Sequence, residues 1–240
     1  MNVLGIRVDK VDLAEALDKA RNFLISGQYK IYTPNPEMLV KASRDIYFRE
    51  VLNASDLNLC DGFGLRVFSG APRMPGVDFM IELCGLAERE SKSIYLLGSG
   101  NEEVVKKCAD ALLKRFSSLT IVGFDKGPAI DESAISSESN HLINNAKPDI
   151  LFVAFGMGKQ EKWIHENLPK LASVRIAMGV GGSFDFIAGT AVRAPLFLRK
   201  IGLEWLYRLI RQPKRFRRIW NATVVFTYLA LKEKLYGNKN

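Results

Sequence analysis

Apolar runs too short for helices alternate with longer amphipathic stretches through the first 192 residues of the chain. The runs at 3–8, 30–33, 57–59, 93–97, 119–123, 150–154 and 175–180 are rich in aliphatic and aromatic side chains and read as strands. Residues 12–26, 37–54, 78–91, 102–116 and 133–145 carry apolar positions at helical spacing. Strand and helix taking turns predicts an α/β, Rossmann-like fold: a mostly parallel sheet with helices on both faces. Ligands of such sheets gather at the carboxyl ends of the strands, so the residues that follow each apolar run are the ones to read for chemistry.

Three of those ends carry glycine: Gly98-Ser99-Gly100, Gly156-Met157-Gly158 and Gly179-Val180-Gly181-Gly182. Glycine there lets backbone approach a ligand phosphate and turns the N–H groups of the next helix toward it, although tight strand-to-helix turns also use glycine for steric reasons alone. Three on one sheet edge favour a nucleotide or nucleotide-sugar site through Gly98, Gly156, Gly181 and Gly182. No GxGxxG and no GxxxxGK[ST] occurs, which argues against a nicotinamide-dependent oxidoreductase and against a P-loop.

Polar residues mark the other ends. Thr33 and Asn35, in the stiff TPNPE turn, offer hydrogen bonds to a polyhydroxylated ligand, while Asn35 followed by Pro36 is also a helix cap; the two roles are compatible. Asp61, between the run at 57–59 and a Gly-Phe-Gly, is either a turn-forming Asp-Gly or a general base with room for substrate. Gln160 stands where it can meet sugar hydroxyls, and Glu161 is equally a first-turn acid favoured by the helix dipole. Asp185 and Arg193 bracket one more segment as a candidate carboxylate and cation. Many nucleotide-sugar transferases hold a divalent ion on the departing diphosphate with an Asp-x-Asp pair; the chain has none, so in an enzyme of that kind the charge would be met by backbone N–H groups and arginines.

Charge supplies the arginines. Residues 193–240 hold twelve Lys and Arg against two acids, leaving 22 bases and 24 acids for residues 1–192. The same 48 residues are rich in Leu, Ile, Phe and Trp, a mixture that suits an anionic membrane surface better than nucleic acid, whose phosphates gain little from large apolar side chains. The apolar stretch 219–231 spans 13 residues where a membrane-crossing helix needs about 20, so it lies on a membrane or packs against protein. This divides the chain into a catalytic domain, 1–192, and a membrane-associating appendage, 193–240. A non-catalytic membrane or nucleic-acid adaptor would account for the appendage but leave the polar strand ends without purpose. Three cysteines without a CxxC fit a reducing compartment, the N-terminus lacks the apolar core of a signal peptide, and the two histidines lack partners at metal-ligand spacing.

Taken together, TPNPE (33–37), CDGFG (60–64), RMPGVD (73–78), IYLLGSG (94–100), FGMGKQEKW (155–163) and GVGGSFDFIAGTAVRAP (179–195) resemble the WecG/TagA/CpsF glycosyltransferase family, in its order and spacing. The chain departs from it at Gly158, where proline is usual, and at Pro75, where threonine is common. The resemblance implies an inverting, metal-independent enzyme without a cofactor. Its donor would be a UDP-sugar, UDP-N-acetylmannosamine or its uronic acid, with UDP-glucose and UDP-galactose as alternatives. Its acceptor would be a polyprenyl-diphosphate-linked N-acetylglucosamine at the cytoplasmic face of the membrane, in synthesis of a cell-surface polysaccharide or teichoic acid. By motif, Asp61 matches the general base, Thr33 and Asn35 the donor pocket, and Gln160 a sugar-contacting glutamine. The RQPKRFRR run, with Arg211, Arg215 and Arg218, takes the place of appendage arginines that enter the active site on the membrane. A homo-oligomer that buries the apolar appendage away from lipid is compatible with this composition.

Overall fold

A computed structural model of the chain describes residues 1–127, 134–211 and 213–236, without the side chains of residues 134–137, 200, 208 and 215. The N-terminal run becomes a small antiparallel hairpin, β1 (Asn2–Val3) and β2 (Ile6–Arg7), rather than one strand. It reverses at Leu4 and Gly5, both of positive φ. Next come α1 (Leu13–Phe23), β3 (Tyr29–Tyr32), α2 (Pro36–Ala42), α3 (Ile46–Asn53), β4 (Leu57–Asn58), α4 (Phe63–Ser69), α5 (Gly76–Arg89) and β5 (Ser93–Gly98). The body continues through α6 (Glu102–Arg115), β6 (Thr120–Asp125), α7 (Ala134–Ala146), β7 (Ile150–Ala154), α8 (Lys159–Asn167), β8 (Ile176–Gly179) and α9 (Ser183–Ile187).

Six strands form one sheet in the order β4-β3-β8-β7-β5-β6, and every pairing is parallel. All carboxyl ends therefore share one edge. Alternate residues of the buried strands face opposite sides. Ile31, Ile94, Leu96, Ile150, Phe152, Ile176 and Met178 enter a core with α1, α5, α6 and α9. Tyr32, Tyr95, Leu97, Leu151, Val153 and Ala177 enter a second core with α2, α3 and α8. The chain leaves β5 for α6 on the first face and β7 for α8 on the second, which makes the ends of these neighbouring strands a topological switch point.

The helical pattern at 37–54 is two helices, because Asp45 stops one and starts the other. Its carboxylate accepts from the Phe48 N–H at 2.9 Å as the N-cap of α3, while Ser43 closes α2 and gives its hydroxyl to the Val40 carbonyl. The helix α4 follows the Asp-Gly turn, where the sequence pattern pointed to no helix.

The appendage contains α10 (Leu196–Lys200), α11 (Glu204–Arg211), α12 (Phe216–Trp220), a π-helical turn (Asn221–Val225) and α13 (Phe226–Tyr236). It is docked on the body at both ends. Phe226 and Ala230 are buried in the second core, Phe226 meeting Phe68 edge-on at 5.5 Å, and Glu233 accepts from the Leu4 N–H at 2.7 Å. At the other end Arg73 donates to the Arg199 carbonyl at 2.8 Å and to Glu204 at 2.7 Å. Leu196, Phe197, Ile201, Ile210, Phe216, Trp220, Tyr228 and Leu235 nevertheless stay exposed. Among the described residues no helix is long and apolar enough to cross a membrane.

Candidate active site

Asp61 follows β4 and is half-buried, lining a cavity of about 400 Å³ at the carboxyl edge of the sheet. Its backbone N–H donates to the Pro34 carbonyl at 3.0 Å, and the Cys60 carbonyl beside it accepts from Met74 at 2.7 Å. Three motifs well apart in sequence are tied together by these two bonds. Gly62 stands at φ +110, and a Cβ there would come within 2.8 Å of the Pro36 ring, so only glycine lets the chain turn past that proline.

Asn35 is the helix cap that the Asn-Pro pair leads one to expect. Its side-chain oxygen caps α2 by accepting from the Met38 N–H at 3.0 Å, with Pro36 at the first helical position, and the residue also lines the cavity. Thr33 stands just behind, with its hydroxyl 3.0 Å from where a Cβ on Gly76 would lie, which explains a glycine in the RMPGVD motif. Pro75 is the N-cap of α5 at φ −61, its natural conformation.

Of the appendage cations, Arg218 reaches the cavity, where it pairs with Glu37 through two bonds of 2.8 and 3.1 Å. Arg211 is exposed, its guanidinium 5.6 Å from the Tyr207 ring centroid, and it does not line the cavity. The side chain of Arg215 lies outside the described residues. Arg193 lines an adjoining cleft, where it grips Asp78 through two bonds of 2.5 and 3.1 Å; that carboxylate raises the affinity of the guanidinium for its proton against the opposing effect of burial.

The glycine loops form a second group further along the same edge. Gly98 cannot carry a side chain, since a Cβ would lie 2.7 Å from the Ala154 backbone of β7. Gly156 needs glycine for its φ of +86 and has nothing within 4 Å of its missing side chain. Gly181 has φ +51, and Gly182 precedes α9. Asp185, in α9, accepts from the Thr190 hydroxyl at 3.4 Å and lines neither the cavity nor the cleft.

Gln160 and Glu161 join the loops after β7 and β8. Gln160 is 5% exposed; its oxygen accepts from the Gly181 N–H at 2.9 Å and its amide donates to Glu161 at 2.7 Å. Glu161 is fully buried and also accepts from the Gly158 N–H at 2.6 Å. Burial pushes its carboxyl pKa up, and the hydrogen bonds from Gln160 and Gly158 oppose that shift. Gln160 is thus a clip between two loops. The turn also departs from one built on proline: Gly158 has φ +86 and donates its N–H, and proline allows neither.

Sequence reading passed over Arg73, Glu37, Phe63, Glu204 and Trp205, all of which line the Asp61 cavity. Arg73, Glu37 and Phe63 sit inside recognised motifs, so a signal existed for them. Glu204 and Trp205 come from the appendage and are brought in by tertiary packing alone.

Over residues 1–240 the sequence matches the model of the glycosyl transferase WecG/TagA/CpsF family. The chain belongs to that family. Among its relatives is the N-acetylglucosaminyldiphosphoundecaprenol N-acetyl-β-D-mannosaminyltransferase of Bacillus subtilis (strain 168), 34% identical over 195 residues that cover 79% of this chain and 74% of the relative. A Staphylococcus aureus (strain MW2) protein of the same name is 30% identical over 245 aligned positions, covering 98% of this chain and 93% of the relative. As a WecG/TagA/CpsF protein the chain is a glycosyltransferase, and its parallel sheet carries the family motifs at one edge.

Proposed function

We propose that this glycosyltransferase moves N-acetylmannosamine from a UDP-activated donor to the N-acetylglucosamine of a polyprenyl-diphosphate lipid, with Asp61 as general base. The names of the Bacillus and Staphylococcus relatives support the sugar and the acceptor. The observation that carries the base is the position of Asp61, half-buried at a strand's carboxyl end and lining a cavity large enough for a sugar. Asp61 takes the proton of an acceptor hydroxyl as that oxygen attacks the anomeric carbon, and the UDP leaves from the opposite face with inversion. Positive charge gathers on the sugar ring and negative charge on the diphosphate oxygens, so donors aimed at those oxygens lower the barrier.

Reaction on the cytoplasmic face of a membrane fits the exposed apolar and basic side chains of the appendage, which would rest in the headgroup boundary beside the lipid acceptor. The reaction proceeds without a metal ion or cofactor in this proposal, and activity should survive EDTA. The test is to incubate the protein with UDP-N-acetylmannosamine, its uronic acid, UDP-glucose and UDP-galactose in turn, each with a short-chain lipid-diphosphate N-acetylglucosamine, and to weigh the products. A gain of one N-acetylhexosamine from the first donor is expected; no product from it, or product only from another donor, overturns the assignment.

A further inference from the structure

Beside the Asp61 cavity, and sharing Phe63 and Arg73 with it, lies a cleft of about 280 Å³. Among the described residues four arginines line it: Arg66 on α4, Arg73 before α5, and Arg193 and Arg199 from the start of the appendage. The one carboxylate lining it among the described residues, Asp78, is already bound to Arg193. Arg73 is fixed by Glu204 and by the Arg199 carbonyl. Among the described residues, the buried Nε–H groups of Arg73, Arg193 and Arg199 meet no acceptor. Four guanidinium groups against one carboxylate, itself already paired, leave positive charge in the cleft that an anion with several oxygens can meet through charge-assisted hydrogen bonds. Leu196, which lines the cleft, is exposed, as is Phe197 next to it in sequence, so an apolar chain attached to that anion has a surface to lie on.

We propose that this cleft binds the diphosphate of the lipid-linked acceptor, with the acceptor sugar extending past Phe63 and Arg73 to Asp61. This inference rests on the transfer reaction proposed above. It assigns the acceptor's anion to Arg66, Arg73, Arg193 and Arg199, separate from Arg211, Arg215 and Arg218 of the basic run. No residue of the glycine loops lines the cleft, so the donor nucleotide and the acceptor diphosphate occupy different stretches of the sheet edge.

Calorimetry on the full chain saturated with UDP, titrated with inorganic pyrophosphate, tests the site without relying on turnover. The double variant Arg66→Gln/Arg199→Gln should bind pyrophosphate about 10-fold or more weakly than the parent, and Lys106→Gln, an exposed cation on α6, should bind as the parent does. Should the double variant unfold, Arg66→Gln alone, at an exposed position, should still show a several-fold loss. Equal affinity in parent and arginine variants, or no binding by the parent, overturns the proposal. In transfer assays the double variant should raise the KM for the lipid-diphosphate acceptor and leave the donor KM unchanged. An unchanged acceptor KM in an active enzyme would refute the cleft while sparing the reaction. Pyrophosphate binding that depends on these arginines, in a protein that transfers no sugar, would keep the anion site and refute the reaction.

Discussion

Single residues at the sheet edge are constrained by geometry that their neighbours in sequence do not reveal. Gly62→Ala adds a methyl group against Pro36 at a φ of +110 and should cost about 1–3 kcal/mol in urea unfolding, with a loss of activity as Asp61 shifts. Glu161→Ala leaves the Gly158 N–H and the Gln160 amide without their buried acceptor. It should destabilise by about 1–3 kcal/mol and loosen both glycine loops, visible as faster amide exchange at Gly181. Asp61 and Asn35 were legible because each follows a strand read from the sequence; both line the cavity, and Asn35 caps α2 as its Asn-Pro pair leads one to expect. Gln160 was legible as important but not as a clip, because its partner Gly181 is 21 residues away.

At the scale of elements, periodicity located the six sheet strands and most helices of the body, since each buries one face against the sheet and must repeat at its own spacing. The break at Asp45 was hidden because an N-cap in mid-pattern looks like one more polar position of a longer helix. Asp45 caps α3 and pairs with Lys162 at 2.9 Å, and the Lys162 hydrogen bond, then the bond from Phe48, hold its carboxyl below the usual range. A depressed pKa stabilises the fold above the unfolded carboxylate's pKa and is lost as pH falls through the folded value. Asp45→Ala should therefore cost about 1 kcal/mol at neutral pH, and the difference from the parent should shrink as pH falls below the carboxylate range, measured by urea midpoints. The apolar stretch at 219–231 left membrane and protein open as what it packs against, and Phe226 sits against Phe68 in the core. Phe226→Ala should cost about 3–5 kcal/mol, and truncation at residue 192 should uncover that core rather than leave an intact body.

Over the whole molecule, the charge imbalance between body and appendage is plain in the sequence, whereas the docking of the appendage is not. Apolar residues that pack on the body and those that remain exposed alternate along the same helices, and composition cannot separate them. The proposed membrane role predicts that Ile210→Asp, at an exposed position, weakens binding to anionic vesicles while leaving the urea midpoint unchanged; a variant that binds vesicles like the parent would remove that face from the role. Asp61 is the point on which the catalytic account turns. The most direct measurement is steady-state turnover of Asp61→Asn with UDP-N-acetylmannosamine and a short-chain lipid-diphosphate N-acetylglucosamine, alongside UDP binding by the same variant. A fall in kcat of roughly 10²-fold or more with UDP affinity retained is the predicted result, and turnover close to that of the parent would contradict it.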